Sequence, residues 1–249
     1  MKKITKILSL ATAVIMATAG GALATPSTQV WIPSTDVQAF GTVHLNLDNY
    51  IRVSKQAEQS NVYVLGPTVG VLPFEKIQLE VGADLIYPGG DYNKYPVYLH
   101  AKLGTPEGSL FANSPALAVG GYNIGLNRDS DSAARTDQDI VYALAAKTLP
   151  VVGRLSAGYY TANGNAIGGE GVKDDGLLLS WDRTMSEISD KLWLAVDYQQ
   201  GNSALGALSV GASWAFSKNV SVIFGYDFYN NQQLAGENTF TTQVDINFP

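Results

Sequence analysis

The feature that most constrains this chain is a strict alternation of apolar and non-apolar residues in runs of about ten. In the clearest run, apolar residues hold every second position from Ile77 to Tyr87, with Gln78, Glu80 and Asp84 between them. Residues two apart in a β-strand lie on one face, so the pattern predicts strands with one apolar face. The three-to-four-residue spacing of a helix is scarce. The predicted fold class is therefore all-β.

Clear and weaker runs together predict about twelve strands. The clear runs are 77–87, 95–103, 192–198, 208–216, 220–228 and 240–248, and the weaker ones are 37–48, 61–72, 115–127, 138–149, 151–162 and 176–184. Short turns alternate with longer polar loops, as antiparallel neighbours require. Residues 104–114 break this rule, because a long connection stands where a short turn is expected.

The first 24 residues are interpreted as a signal peptide. Lys2, Lys3 and Lys6 precede an apolar stretch, and Ala22-Leu23-Ala24 supplies a cleavage pattern. A membrane-anchoring helix needs about 20 apolar residues and more bulk than this stretch offers. Residues 25–249 contain no linker or compositional shift and are assigned to one domain.

Composition excludes several kinds of site and partner. A net charge of −6 argues against a nucleic-acid partner, which needs a basic face. The absence of cysteine excludes disulfides and thiolate metal sites. The sequence contains no calcium loop, phosphate loop or dinucleotide fingerprint, so we predict neither a metal nor a cofactor.

Two observations indicate that the apolar faces meet lipid. The opposite faces carry small residues with scattered charges, such as Gly82, Ser209, Gly211 and Ser213, instead of the Lys and Glu of a solvated surface. Aromatic residues also collect at both ends of the predicted strands: Tyr87, Tyr95, Tyr159, Tyr198, Phe228 and Tyr229 at one end, and Trp214, Phe216 and Phe248 at the other. Such girdles are typical of a transmembrane β-barrel.

We therefore predict a closed antiparallel transmembrane β-barrel of about 12 strands. Backbone N–H and C=O groups cannot stay unpaired in hydrocarbon, so the last strand must pair with the first, near Gly41 to Leu47. Residues Leu79, Val81, Leu194, Val210 and Phe224 are expected to face lipid at mid-strand.

Over residues 37–248 the pattern resembles the bacterial outer-membrane β-barrel proteins, the porin-like superfamily. Its last run, Phe240 to Phe248, is similar to the terminal strand of that group, although Pro249 follows the final aromatic. The resemblance implies the outer membrane of a Gram-negative bacterium, contact with outer-membrane lipid and lipopolysaccharide, and insertion by the barrel assembly machinery. It implies no oligomeric state. Lipid hydrolases of this kind carry a His-x-Ser pair, which neither His44 nor His100 forms, so no enzyme is expected.

Ionisable residues assigned to the inward face are interpreted as lining a narrow aqueous pore. They are His44, Lys76, Glu80, Asp84, His100, Lys102, Lys147, Arg154, Asp182, Lys191, Asp197, Asp227 and Asp245. The predicted function is passive passage of small hydrophilic solutes, with a mild cation preference because carboxylates outnumber cations. Two alternatives stay open: a closed barrel with a structural or loop-mediated binding role, and a soluble periplasmic β-barrel.

Overall fold

The computed structural model describes residues 27–54, 59–88, 95–129, 135–169 and 171–249. Their twelve strands are β1 (Val43–Arg52), β2 (Val62–Gly70), β3 (Gln78–Tyr87), β4 (Val97–Thr105), β5 (Ala116–Gly125), β6 (Asp137–Leu149), β7 (Gly153–Thr161), β8 (Asp175–Thr184), β9 (Leu192–Gln199), β10 (Ala207–Ala215), β11 (Val220–Tyr229) and β12 (Thr239–Phe248). Two single-turn helices, α1 (Gly164–Ile167) and α2 (Gln232–Ala235), lie in the connections. No helix in these ranges is long and apolar enough to cross a membrane. The predicted signal peptide lies outside the described residues.

The strands form one closed antiparallel barrel, as predicted. Each strand pairs with its neighbours in sequence, and β1 closes the barrel against β12, from Val43 opposite Phe248 to Arg52 opposite Thr239. Closure gives every strand two partners, which removes the unpaired edge that hydrocarbon would not tolerate.

The first strand differs from the prediction. It was expected over residues 37–48 but begins at Val43. Before it, Phe40 makes only an isolated bridge to Gly70, and the chain turns at Gly41, whose φ of 76° suits glycine. The preceding residues therefore do not belong to the barrel wall.

The barrel has two distinct ends. At the turn end lie connections 71–77, 106–115, 150–152, 185–191 and 216–219, together with the start of β1 and the end of β12. At the loop end lie connections 53–61, 88–96, 126–136, 162–174, 200–206 and 230–238. The long connection that was predicted in place of a short turn lies at the turn end, as connection 106–115.

The outward face is apolar and the inward face is mixed, as predicted. Val81, Val210 and Phe224 are 36%, 37% and 47% exposed, whereas Glu80 and Ser209, one position away, are almost fully buried. Outward aromatics ring both ends: Tyr63, Tyr87, Tyr95, Tyr159 and Phe228 at the loop end, and Phe40, Phe74, Phe111, Phe216 and Phe248 at the turn end. Tyr229 was wrongly assigned to this girdle, since it is buried and points inward.

Candidate functional site: the barrel interior

The interior holds residues Ser27–Gln38, here called the N-terminal segment. It doubles back as a tight hairpin: Thr28 bridges Pro33, Gln29 N donates to Ile32 O at 2.8 Å, and Ser34 N donates to Ser27 O at 3.1 Å. Val30 and Trp31 form its tip. Our sequence prediction did not place this segment inside the barrel.

The tip of the hairpin is fixed by hydrogen bonds to its main chain. Asp197 Oδ2 accepts from Val30 N at 2.7 Å and from Trp31 N at 3.0 Å, and Gln243 Nε2 donates to Val30 O at 2.7 Å. The Trp31 indole donates to Leu205 O at 2.9 Å, in a loop-end connection. The tip thus reaches towards the loop end of the lumen.

A cluster of charges holds the segment near β7 and β8. Arg154 Nη1 lies 2.7 Å from Asp36, and its Nε lies 2.9 Å from Asp182 Oδ1. Gln29 Nε2 donates to the same Asp182 oxygen at 3.0 Å. Two residues predicted to line the pore, Arg154 and Asp182, therefore bind the segment instead.

A second cluster holds the segment against β3 and β4. Lys102 Nζ lies 3.1 Å from Glu80 Oε1 and also donates to Ser27 O at 3.2 Å. Glu80 accepts from Ser27 Oγ at 3.0 Å and from Gln38 N at 2.7 Å. Both ends of the segment therefore meet one buried ion pair.

Apolar packing adds to these polar anchors. Ile32 is fully buried against inward residues of β6, β7 and β8, including Ile140, Leu144 and Leu178, and Val30 packs with Trp193 and Ile223. Burial of each such side chain contributes about 1.5–3 kcal/mol.

The wall beside Val30 is built from glycine. A Cβ placed on Gly211 would lie 2.7 Å from Val30 Cγ2, and one on Gly225 would lie 2.8 Å from Val30 Cγ1. Small residues on the inward face, which the sequence showed, therefore make room for the segment.

A cavity of about 390 Å³ lies between the segment and strands β1 to β6, and it extends to loop-end residues Arg52 and Leu234. Ser27, Thr28 and Pro33 line it on the side of the segment. Its wall combines polar groups with aromatic rings, among them Asn46, Asp48, Tyr50, Asp84, Tyr98, His100, Tyr122 and Tyr142.

Both histidines are held by carboxylates in this wall. His100 Nδ1 lies 3.0 Å from Asp84 Oδ2, and its Nε2 lies 2.8 Å from Thr68 Oγ1. His44 Nε2 lies 3.4 Å from Asp245. The Asp84–His100–Thr68 row orients the imidazole of His100, and all three residues line the cavity.

The structure divides the inward members of the predicted pore-lining set into three groups. His44, Glu80, Asp84, His100, Lys102 and Asp245 reach the cavity; Arg154, Asp182 and Asp197 hold the N-terminal segment; and Asp227 is buried in the wall, where it accepts from Ser209 and Thr239. The ion pair between Lys102 and Glu80 therefore both lines the cavity and binds the segment.

Three lysines of that set lie outside the interior. Lys76 and Lys191 are in exposed turn-end connections. Lys147 stands opposite the outward Leu155 and bonds to Glu107 at 2.7 Å and to Asn113 O at 3.1 Å. The strand period explains why Lys147 points outward. The inward residues of β6 are Tyr142 and the residues two and four positions from it, whereas Lys147 is five positions from Tyr142.

Sequence reasoning also missed cavity residues on β1. Asn46 and Asp48 share the face of the predicted His44 within the predicted run 37–48, and Tyr50 follows on the same face two residues beyond it. In residues 27–54, 59–88, 95–129, 135–169 and 171–249, no three His, Asp or Glu side chains are arranged to hold a metal ion.

No protein-family model matches the sequence, and no curated protein matches it. Solved structures to which it is similar include outer membrane channels and porins. An outer membrane channel from Pseudomonas putida F1 is 15% identical, with 85% of this chain and 97% of that chain covered and a TM-score of 0.48. A mutant porin of Rh. blastica is 15% identical, covering 75% and 55% of the two chains with a TM-score of 0.39. Salmonella typhi OmpF, in complex with daunomycin, is 8% identical, covering 83% and 96%, also with a TM-score of 0.39.

Proposed function

We propose that this chain is a channel of the Gram-negative outer membrane that lets small hydrophilic solutes pass through its barrel. The observation that carries the proposal is the reversal of polarity between the two faces. The outward face is apolar and bounded by aromatic residues at both ends, whereas the buried carboxylates and imidazoles all lie on the inward side, where several line a cavity beside aromatic and aliphatic side chains. An apolar exterior suits lipid, and charged groups inside suit water and hydrophilic solutes.

The membrane location follows from the same surface. A soluble barrel would bury its apolar residues and expose its charged ones. Here Val81, Val210 and Phe224 are exposed while Glu80 and Lys102 are buried. We therefore expect contact with outer-membrane lipid and lipopolysaccharide, and insertion by the barrel assembly machinery.

The charges in the cavity favour cations. Among the described ion pairs, Asp84 is paired with neither lysine nor arginine and contacts only the imidazole of His100. Lys102, by contrast, is neutralised by Glu80. Carboxylates in a confined, partly desolvated space raise the local concentration of cations.

Solute entry into liposomes tests the proposal. Liposomes with the refolded chain, and with a chain that begins at Ala39, are diluted into isosmotic sugars of increasing size. We expect swelling that slows as the sugar becomes larger. The absence of swelling with both folded proteins would contradict the channel and favour the closed barrel. A chain that stays monodisperse without detergent would instead favour the soluble periplasmic barrel.

A further inference from the structure

We propose that the N-terminal segment is a movable plug that closes the lumen and opens it by leaving the wall. The proposal rests on the channel function above and adds its control.

The segment closes the lumen because it crosses the turn end. From Arg154 on β7 it passes Gly104 on β4, where a Cβ would lie 2.7 Å from Val37 Cγ2, and then Glu80 on β3. It finally reaches Gly70 on β2 through the Phe40 bridge. Ser27 and Gln38 meet at Glu80, so the hairpin and its return strand together span the interior. The cavity reaches the loop end on one side and the segment on the other.

The segment can leave because the barrel is complete without it. All twelve strands pair with each other, and β12 closes directly on β1. The segment adds no strand to this ladder. In the described residues its attachments are side-chain hydrogen bonds, ion pairs and the packing of Val30, Trp31 and Ile32, with the Trp31 ring edge-to-face on Tyr50 and Tyr229. Asp197, Glu80 and Gln243 are polar groups that water can satisfy once the segment is gone.

The closed state is favoured by the inward apolar residues. Ile140, Leu144 and Leu178 would face water in an empty lumen, and Ile32 covers them. Hydrophobic packing thus holds the plug in place, while replaceable polar contacts orient it.

A disulfide lock tests the plug. The chain has no cysteine, so Val30→Cys with Gly225→Cys introduces one defined pair. A Cβ on Gly225 would lie 2.8 Å from Val30 Cγ1, the position that the sulfur of Val30→Cys would occupy, so the two introduced sulfurs can come within bonding distance. Sugar entry into liposomes is measured for this variant, oxidised and reduced, with each single cysteine variant as a control. Electrophoretic mobility without heating verifies that every barrel is folded.

We expect the oxidised pair to lose sugar entry and the reduced pair to regain it, with no effect of oxidant on either single variant. The chain that begins at Ala39 should admit sugar faster than the full chain, and a peptide of residues 27–38 should slow it again. Equal entry into liposomes with the Ala39 chain and with the full chain would overturn the plug. Absence of entry for every folded protein, the Ala39 chain included, would overturn the channel itself.

Discussion

Interior carboxylates differ in the groups that they hold. Asp197 accepts two main-chain hydrogen bonds from the N-terminal segment, and Asp182 accepts from Gln29 and Arg154. Asp48 and Asp84 line the cavity instead. One residue type therefore has two tasks in this lumen: Asp182 and Asp197 position the segment, and Asp84 sets the charge that a solute meets.

Replacing Asp197 with Ala should loosen the tip of the segment. Val30 N–H and Trp31 N–H would lose their shared acceptor, and each such hydrogen bond contributes about 0.5–1.5 kcal/mol. In a Val30→Cys background, Asp197→Ala should speed labelling by a soluble maleimide. Asp227→Ala removes a buried carboxylate that does not touch the segment and should leave labelling slow. Equal acceleration by both substitutions would contradict the assigned contacts.

An arginine on the outward face should destabilise the barrel in lipid. Val210 lies at the middle of β10 and faces outward, so Val210→Arg should cost about 2–4 kcal/mol of unfolding free energy. Asn46→Arg, at the cavity wall near Asp48 and Asp84, should cost much less. Denaturant unfolding in lipid vesicles measures both free energies, and similar costs would contradict the assignment of faces.

At the scale of elements, the long turn-end connection 106–115 is tied to the wall of the barrel. Glu107 lies 2.7 Å from Lys147 and accepts from Thr148 N at 3.0 Å. Partial burial alone would raise the pKa of Glu107, but the hydrogen bonds from Lys147 and Thr148 outweigh it and hold the pKa below its ordinary 4.5.

The contribution of Glu107 should therefore depend on pH. A carboxyl group with a lowered pKa in the folded state stabilises it above the unfolded value of 4.5, and loses that effect as the pH falls through the folded value. We expect an acid-stable protease to cut connection 106–115 faster at a pH below that range than just above it. Glu107→Gln should make the rate insensitive to pH across this interval. An unchanged pH dependence in Glu107→Gln would show that another group anchors the connection.

The loop end should face outside the cell. Trypsin added to intact cells is expected to cut after Arg128, whose side chain is 60% exposed in connection 126–136. Lys76 and Lys218 are exposed in turn-end connections and should be cut only after the outer membrane is permeabilised. Cleavage at these lysines in intact cells, with Arg128 protected, would mean that the barrel is inverted.

The strands could be predicted from sequence because alternation records which side faces lipid. The N-terminal segment could not, since its twelve residues show no period and its contacts come from distant strands. One signal did exist. Leu178 stands between the outward Leu177 and Leu179, so β8 carries a large apolar residue on its inward face as well. A leucine facing a lumen implies that something packs there, and here it is Ile32.

At the scale of the whole molecule, the net charge of the chain and the charge in its lumen both favour cations. The chain carries a net charge of −6. Glu80 and Asp84 both belong to the predicted pore-lining set, but Glu80 is paired with Lys102 and bound to the segment. Asp84 is therefore the carboxylate that we expect to govern selectivity.

A reversal potential across a salt gradient measures this preference. We expect mild cation selectivity in dilute salt that fades in concentrated salt, because the screening length falls from about 10 Å at 0.1 M to about 3 Å at 1 M. Asp84→Asn should reduce it, whereas Asp227→Asn, which is outside the cavity, should not. Anion preference in dilute salt would contradict the assignment.

The central claim, that this barrel is a membrane channel, is tested most directly by single-channel recording. The folded mature chain is added to a planar lipid bilayer, and current is followed at constant voltage with the chain that begins at Ala39 alongside. We expect discrete current steps from both proteins, with longer open times for the shortened chain. A silent bilayer that demonstrably contains both folded barrels would contradict the account.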